Sequence, residues 1–509
     1  MFKSVSRALL LASCFALPAA SEAAALTLEP IASYENKVFD EGAAEIVAYD
    51  KVGKKLYVVN GHDKAIDVLD ISNPSKIEKS GELNVTNFGK GANSVDVHGD
   101  YVAIAVENKD KQANGKLVVY KTDGTLVGDV ELGALPDCVV FSPNGEFVMV
   151  ANEGEPSDDF KTDPVGTVSI VAIPSLEVKT VSFANLKADD FGADFHTAAP
   201  EGISFEQQIE PEYVAITPDS KTAFVSLQES NAIAVIDTET AALKKVFSLG
   251  FQDYSKVKAD LSDKDGGINR KNWPVLSFRM PDTVKAFTKD GVNYVVMSNE
   301  GDSRDYDGYS EEARVKDIKL DPTAFPNAEE LQKKENLGRL KITTAQGDTD
   351  GDGDFDVLYG YGGRSFSIFN EAGEMVFDSA DEIEAKMAEL QPTAFNSEGA
   401  VESFDSRSDD KGTEPEALEL AEIDGRLYAF VGLERMSGIV VYDITDPAKA
   451  SYVTYASNVK LDGESEKLTA GDIAPEGIKF IDGKDSPNGK PMIAVANEVS
   501  GSVTLWAIK

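Results

Sequence analysis

Between Gly347 and Gly363 the chain reads GDTDGDGDFDVLYGYGG, with five aspartates in nine residues before an abrupt apolar turn. Like charges crowd this way either in a solvated turn or around a cation. Asp348, Asp350, Asp352, Gly353 and Asp356 fit D-x-D-x-D-G-x-x-D. Alternating carboxylates, a glycine for the sharp turn and one more acid suit Ca²⁺, which takes roughly six to eight oxygen ligands. Such a loop supplies nearly a full coordination shell, so the expected role of the ion is structural.

A second group of acids recurs along the chain. Asp137, Glu212, Asp282, Glu416 and Glu476 each follow a proline and open an apolar, β-branched run. Asn108, Asn152-Glu153, Glu229, Asn299-Glu300, Glu434 and Asn497-Glu498 close the next run. In an antiparallel pair the start of the first strand and the end of the second share one edge. Both groups are therefore expected at one mouth of a central channel, unless they only cap turns by accepting backbone N–H bonds. Arg304, Arg364 and Arg435 fall in or beside the same loops. Acids that hold a metal, beside arginines that grip an anion, make a site for a phosphate ester.

These positions recur because the chain repeats. Units beginning near Leu135, Glu210, Met280, Glu414 and Ala474 align with one another, and two earlier units keep the pattern more loosely. Each holds three or four short runs broken by Gly, Asn, Asp and Pro, which is strand chemistry. Repeats of roughly 40 residues with four strands specify an all-β fold, a single β-propeller. Seven blades are expected over residues 26–509; an eighth could lie in FDVLYGYGGRSFSIFNEAGEMVFDS. The last unit stops at its third strand, GSVTLWAIK, and LTLEPIASYEN is the strand expected to complete it and close the ring. Insertions are placed at about 301–337, with a helix in NAEELQKKEN, and at about 381–413, opening with a helix in DEIEAKMAEL.

Composition narrows the setting. The 509 residues carry 88 Asp and Glu against 49 Lys and Arg, a formal charge of −39. That surface repels nucleic acid and anionic membrane. Lys3 and Arg7, the apolar stretch from Ala8 to Ala20 and the small residues up to Ala25 read as a signal peptide over residues 1–25. The expected location is periplasmic or secreted, with a lipoprotein attached at Cys14 as the alternative. No other segment has the roughly 18 apolar residues needed to span a bilayer. His62, His98 and His196 lack metal-ligand spacing, and no serine-hydrolase, P-loop or haem motif is present.

The segments ANEGEPSDDF, SNEGDSRDYDGYSEEARVKD, LGRLKITTAQGDTDGDGDFDVLYGYGGRSFSIF and APEGIKF resemble the choice-of-anchor I family. The Asp-rich loop is itself similar to the calcium loops between strands of integrin-type propellers. It departs from an EF-hand because Tyr359 stands where the bidentate Glu would be. The family's relatives include mesenchyme-specific cell-surface glycoproteins and an atypical bacterial alkaline phosphatase, so the resemblance implies a propeller and calcium-dependent phosphatase activity. The expected active set is Glu300, Asp302, Arg304, Asp305 and Arg364. In it Glu153, Glu300, Asp302 and Asp305 hold a second, channel-mouth metal, and Arg304 with Arg364 binds a small anionic substrate. The competing expectation is a non-catalytic calcium-loaded propeller that captures a surface polymer or mineral.

Overall fold

A middle strand such as Lys55–Asn60 (KLYVVN) is apolar at every turn of the pleat, because each of its faces meets a different neighbour. Leu56 and Val58 enter one apolar layer, and Tyr57 and Val59 enter the next. Such two-sided burial explains why the middle strands read as continuous apolar runs rather than alternating ones.

The computed structural model describes residues 26–509. The expected signal peptide, and Cys14 within it, lie outside the described residues. Seven four-stranded antiparallel sheets follow one another along the chain. Their innermost strands are Val47–Asp50, Gly91–His98, Pro136–Phe141, Val214–Ile216, Val284–Lys289, Pro415–Ile423 and Pro475–Ile481. Neighbouring inner strands touch in that order, and the last touches the first. Each of the seven joints has its own layer of buried apolar side chains. The layer between the seventh and first blades joins Ala494, Ala496 and Leu505 to Leu56, Val58 and Leu69.

The seventh blade is composite. Leu28–Glu35 pairs antiparallel with Ser502–Ile508, from Leu28 opposite Ile508 to Glu35 opposite Ser502. The run expected as a possible eighth blade instead supplies Ser365–Asn370 and Met375–Asp378, the outer strands of the fifth. The helix expected in NAEELQKKEN is a single turn, Ala328–Leu331, whereas Glu382–Leu390 forms as expected. A further excursion between the fourth and fifth blades went unread. Phe251–Asp253, Leu276–Phe278 and Tyr359–Gly360 make a small sheet there, over a core that includes Tyr254, Trp273 and Leu337. Among the described residues no helix is long and apolar enough to cross a membrane.

Candidate functional site: the acidic channel mouth

Proline and strain aim the acids inward. Leu135, Met280, Glu414 and Ala474, each just before the proline that precedes or opens an inner strand, take left-handed backbone with φ of 46°, 47°, 48° and 62°. That region is costly for a residue with a Cβ, and such strain persists where the surrounding fold enforces it. Register shifts follow between Pro136 and Val139, Pro415 and Leu418, and Pro475 and Gly477. A bulge re-aims the side chain it carries.

The result is a ring. Glu45, Asn93, Asp137, Glu212, Asp282, Glu416 and Glu476, one residue per blade, line a single cavity of about 540 Å³. Glu300, Asp302 and Glu434 join them from the second-strand ends, together with Gln228, Lys411 and Arg435. Carboxylate oxygens of Asp282, Glu300 and Glu416 lie within 4.8 Å of one another. Burial, followed by repulsion from neighbouring acids, pushes Glu45 up to about 8. Burial does the same to Asp137, which rises to about 7. Glu212, Asp282, Glu416 and Glu476 are held well above the ordinary carboxyl range by burial first. Oε2 of Glu212 and Oε2 of Glu416 are buried with no hydrogen-bond partner. A buried, unpartnered carboxylate oxygen is costly unless it is protonated or meets a cation.

Three residues further along the inner strands the charges balance. Lys285 lies 3.4 Å from Glu419, and Lys479 lies 3.7 Å from Asp96, around a space of about 60 Å³. The ring above has no such pairing among its own members. Its basic neighbours sit to one side: Lys411 bonds Glu300, and Arg435 Nη2 lies 2.8 Å from Glu434 Oε1. Gln228 Nε2 donates to Glu300 Oε2 at 3.0 Å.

The expected active set divides. Glu300 and Asp302 line the mouth; Arg304, Asp305 and Arg364 do not. Arg304 is 2% exposed and points inward, Nη2 donating to Gln208 O at 3.0 Å and lying 3.2 Å from Glu210 Oε2. Asp305 is exposed on the hairpin formed by Asp305–Tyr306 and Tyr309–Ser310. Arg364 is consumed by structure. Its Nη1 donates to Asp260 O and Glu384 Oε1, and its Nη2 to Ser408 O and Asp410 O, all between 2.7 and 3.1 Å. Neither arginine is therefore free to grip a substrate at the ring. Glu153 gathers with Glu210 and Glu229, apart from the Asp-rich loop. The asparagines of the second-strand ends clamp blades instead: Asn152 Nδ2 donates to Ser169 Oγ at 2.9 Å and Asn299 Nδ2 to Ser367 Oγ at 2.7 Å.

In the Asp-rich loop, oxygens of Asp348, Asp350 and Asp356 lie within 4.8 Å of one another. Asp352 stands outside that trio, accepting from Asp354 N at 3.1 Å. Asp354 went unread although it is buried; it lies 2.6 Å from Lys319 and forms another close trio with Asp321 and Asp356. The insertion holds the loop in place, Phe355 N donating to Lys319 O and Asp321 N to Phe355 O. Three hard-oxygen donors on a glycine-pivoted turn fit Ca²⁺.

Glu45 and Asn93 also escaped the sequence reading, since their units lack the proline. A signal was present for Glu45: it precedes Asn60 by the same spacing that separates Asp137 from Asn152.

A family model described as the choice-of-anchor I domain matches residues 45–447. Gigasin-3a of Magallana gigas is 33% identical over 192 residues, covering 35% of this chain and 67% of that protein. The mesenchyme-specific cell surface glycoprotein of Strongylocentrotus purpuratus is 26% identical over 280 residues, covering 48% of this chain. The matched region is 36% of that protein's own length. Among solved structures, a streptogramin B lyase superposes with a TM-score of 0.47 at 10% identity, covering 95% of this chain and 98% of that one. A Kuenenia stuttgartiensis hydrazine synthase gives 0.46 at 12% identity, covering 92% and 96%.

Proposed function

We propose, for a chain that belongs to the choice-of-anchor I family, that it is an extracytoplasmic propeller whose channel mouth holds a divalent cation, Ca²⁺ foremost. One observation carries the reading. Asp282, Glu300 and Glu416 bring carboxylate oxygens within 4.8 Å of one another, and Glu416 Oε2 is buried without a partner. Oxygens no farther apart than about twice a Ca²⁺–oxygen bond suit ligands of one ion. The Asp-rich loop supplies a separate structural calcium site. A working place outside the cytoplasm is supported by the residues read as a signal peptide and by the name of the Strongylocentrotus relative, a cell surface glycoprotein.

A second reading, phosphate-ester hydrolysis, is favoured by Lys411 and Arg435 lining the same cavity as the acids. Here they replace Arg304 and Arg364 as the groups that meet an anion. A bound cation supplies charge for a phosphoryl oxygen; Glu300 and Glu434 hold the two basic side chains beside it, and Asp302 faces the opening. The non-catalytic alternative uses the same cation to capture an acidic polymer or mineral surface.

The test is metal analysis of protein dialysed against Ca²⁺, followed by turnover of p-nitrophenyl phosphate with and without chelator. Loss of one equivalent in Asp282→Asn/Glu416→Gln supports the channel site, and full retention sinks it. Turnover that disappears with chelator and in Lys411→Met favours hydrolysis. Absence of turnover with every divalent cation leaves the capture reading.

A further inference from the structure

The repeat places three glutamates together twice. Glu153, Glu210 and Glu229 meet at the joint of the third and fourth blades, and Glu300, Glu414 and Glu434 at the joint of the fifth and sixth. Two of the three positions correspond between the sets. Glu153 and Glu300 each follow the asparagine that ends a second strand, Asn152 or Asn299. Glu210 and Glu414 each stand two residues before a ring acid, Glu212 or Glu416. The third differs by one place: Glu229 stands two residues past Thr222–Leu227, whereas Glu434 directly follows Arg426–Leu433, so Arg435 holds the place in the repeat that Glu229 holds in the fourth blade. In both sets the carboxylate oxygens come within 4.8 Å of one another.

Their counter-charges differ. At the joint of the fifth and sixth blades, Lys411 holds Glu300 and Arg407 Nε lies 2.7 Å from Glu414. Arg435 spans Glu414 at 3.4 Å and Glu434 at 2.8 Å. Three glutamates meet three cations. At the joint of the third and fourth blades a single guanidinium, that of Arg304, comes within ion-pair distance, and it reaches only Glu210. The nearby Lys111 is bonded to Glu155. Among the described residues Glu153 and Glu229 have no cationic partner within 4.0 Å.

Two further buried atoms stand without a partner. Glu210 and Arg304 are each 2% exposed. Yet Glu210 Oε2 accepts no well-formed hydrogen bond, and Arg304 Nη1, on the guanidinium that faces Glu210, has no acceptor. A buried guanidinium N–H without an acceptor is as costly as a buried carboxylate without a donor. One ion with its own oxygen ligand satisfies both.

We propose that Glu153, Glu210 and Glu229 form a third divalent-cation site of the hard, Ca²⁺-binding kind, in which an oxygen ligand of the ion accepts from Arg304 Nη1. The site shares no residue with Asp282, Glu300 and Glu416, and it stands whether or not the channel ring holds metal. Its counterpart between the fifth and sixth blades is filled by the protein's own cations. The same repeated frame thus serves once as a metal pocket and once as a salt-bridge cluster.

The test uses the full chain and the variant Glu153→Gln/Glu229→Gln, which keeps the Arg304–Glu210 pair. Ca²⁺ is counted after equilibrium dialysis, and Tb³⁺ luminescence is excited through Tyr306, whose hydroxyl donates to Glu155 at 3.0 Å. The wild type should bind one more Ca²⁺ than the variant, and the variant should lose the share of tyrosine-sensitised Tb³⁺ emission that Tyr306→Phe also removes. Asp282→Asn/Glu416→Gln should keep the Tyr306-dependent share, which separates the two sites. Equal stoichiometry and equal emission in wild type and Glu153→Gln/Glu229→Gln would overturn the proposal. If that variant fails to fold by circular dichroism, Glu229→Gln alone decides. It should weaken one Ca²⁺ affinity by at least the roughly tenfold that loss of even an outer partner costs, and unchanged affinities refute the site.

Discussion

Glu45 and Arg364 show how differently single residues declare themselves. Glu45 belongs to a ring whose acids are raised by burial, itself to about 8, with Asp137 raised to about 7. An acid raised on folding binds its proton more tightly in the native state. Its stabilising contribution is therefore full below the unfolded value of about 4 and is lost as pH rises through 7 to 8. In chelator, the melting temperature should fall between pH 5.5 and 8.5, more steeply than in excess Ca²⁺, and Glu45→Gln should flatten the fall. Scanning calorimetry at both pH values checks this; a melting temperature that rises with pH in chelator refutes it. Arg364 should behave as a structural group. Arg364→Ala leaves buried Glu384 with Arg270 as its one remaining arginine and strips the donor from the Asp260, Ser408 and Asp410 carbonyls, and should cost about 3–5 kcal/mol in denaturant titration. A substrate-binding arginine would instead lose ligand affinity at unchanged stability. The ring acids that follow a proline were legible because repeat and proline fix their place; Glu45, which follows none, was not. The inward turn of Arg304 and Arg364 was not, because their acceptors, among them Gln208, Asp260 and Ser408, lie far away in sequence.

At the scale of elements, turn chemistry was the readable part. The spacing of the Asp-rich loop marked out Asp348, Asp350 and Asp356, whose oxygens the fold brings together, and Glu382–Leu390 announced a helix by composition. What escaped was tertiary: Asp354 becomes buried because Lys319–Asp321 of the insertion packs along the loop. Asp348→Asn/Asp350→Asn should lower the melting temperature in Ca²⁺ while leaving it nearly unchanged in chelator. Differential scanning fluorimetry with and without Ca²⁺ measures the difference, and identical curves for variant and wild type would remove calcium from the loop. The small sheet built from Phe251–Asp253, Leu276–Phe278 and Tyr359–Gly360 was unreadable for a related reason. Its strands are three, three and two residues long and come from two segments far apart, so no periodicity marks them.

For the molecule as a whole, closure is the decisive property, and it was legible in the incomplete last repeat. Each joint buries its own apolar layer, so opening one exposes two sheet faces to water. Deleting Leu28–Glu35 strips the partner from Ser502–Ile508 and bares a long strand edge, the feature that invites pairing between chains. The truncated protein should melt well below the full chain and self-associate, as light scattering would report. A monomer of unchanged melting temperature would show that the seam contributes little. The charge of −39 acts at the same scale. Screening over a Debye length of about 10 Å at 0.1 M salt weakens the self-repulsion of the folded state. Added NaCl should therefore raise the melting temperature even without divalent ions.

The seam also has a direction. Leu28 lies opposite Ile508, and Thr27 and Lys509 exchange both backbone hydrogen bonds, so the two ends of the folded chain leave side by side. A tether pulling them apart would load this pair like a zip, one rung at a time and at low force. Traction applied through any other two points on the ring would have to tear a whole blade joint at once.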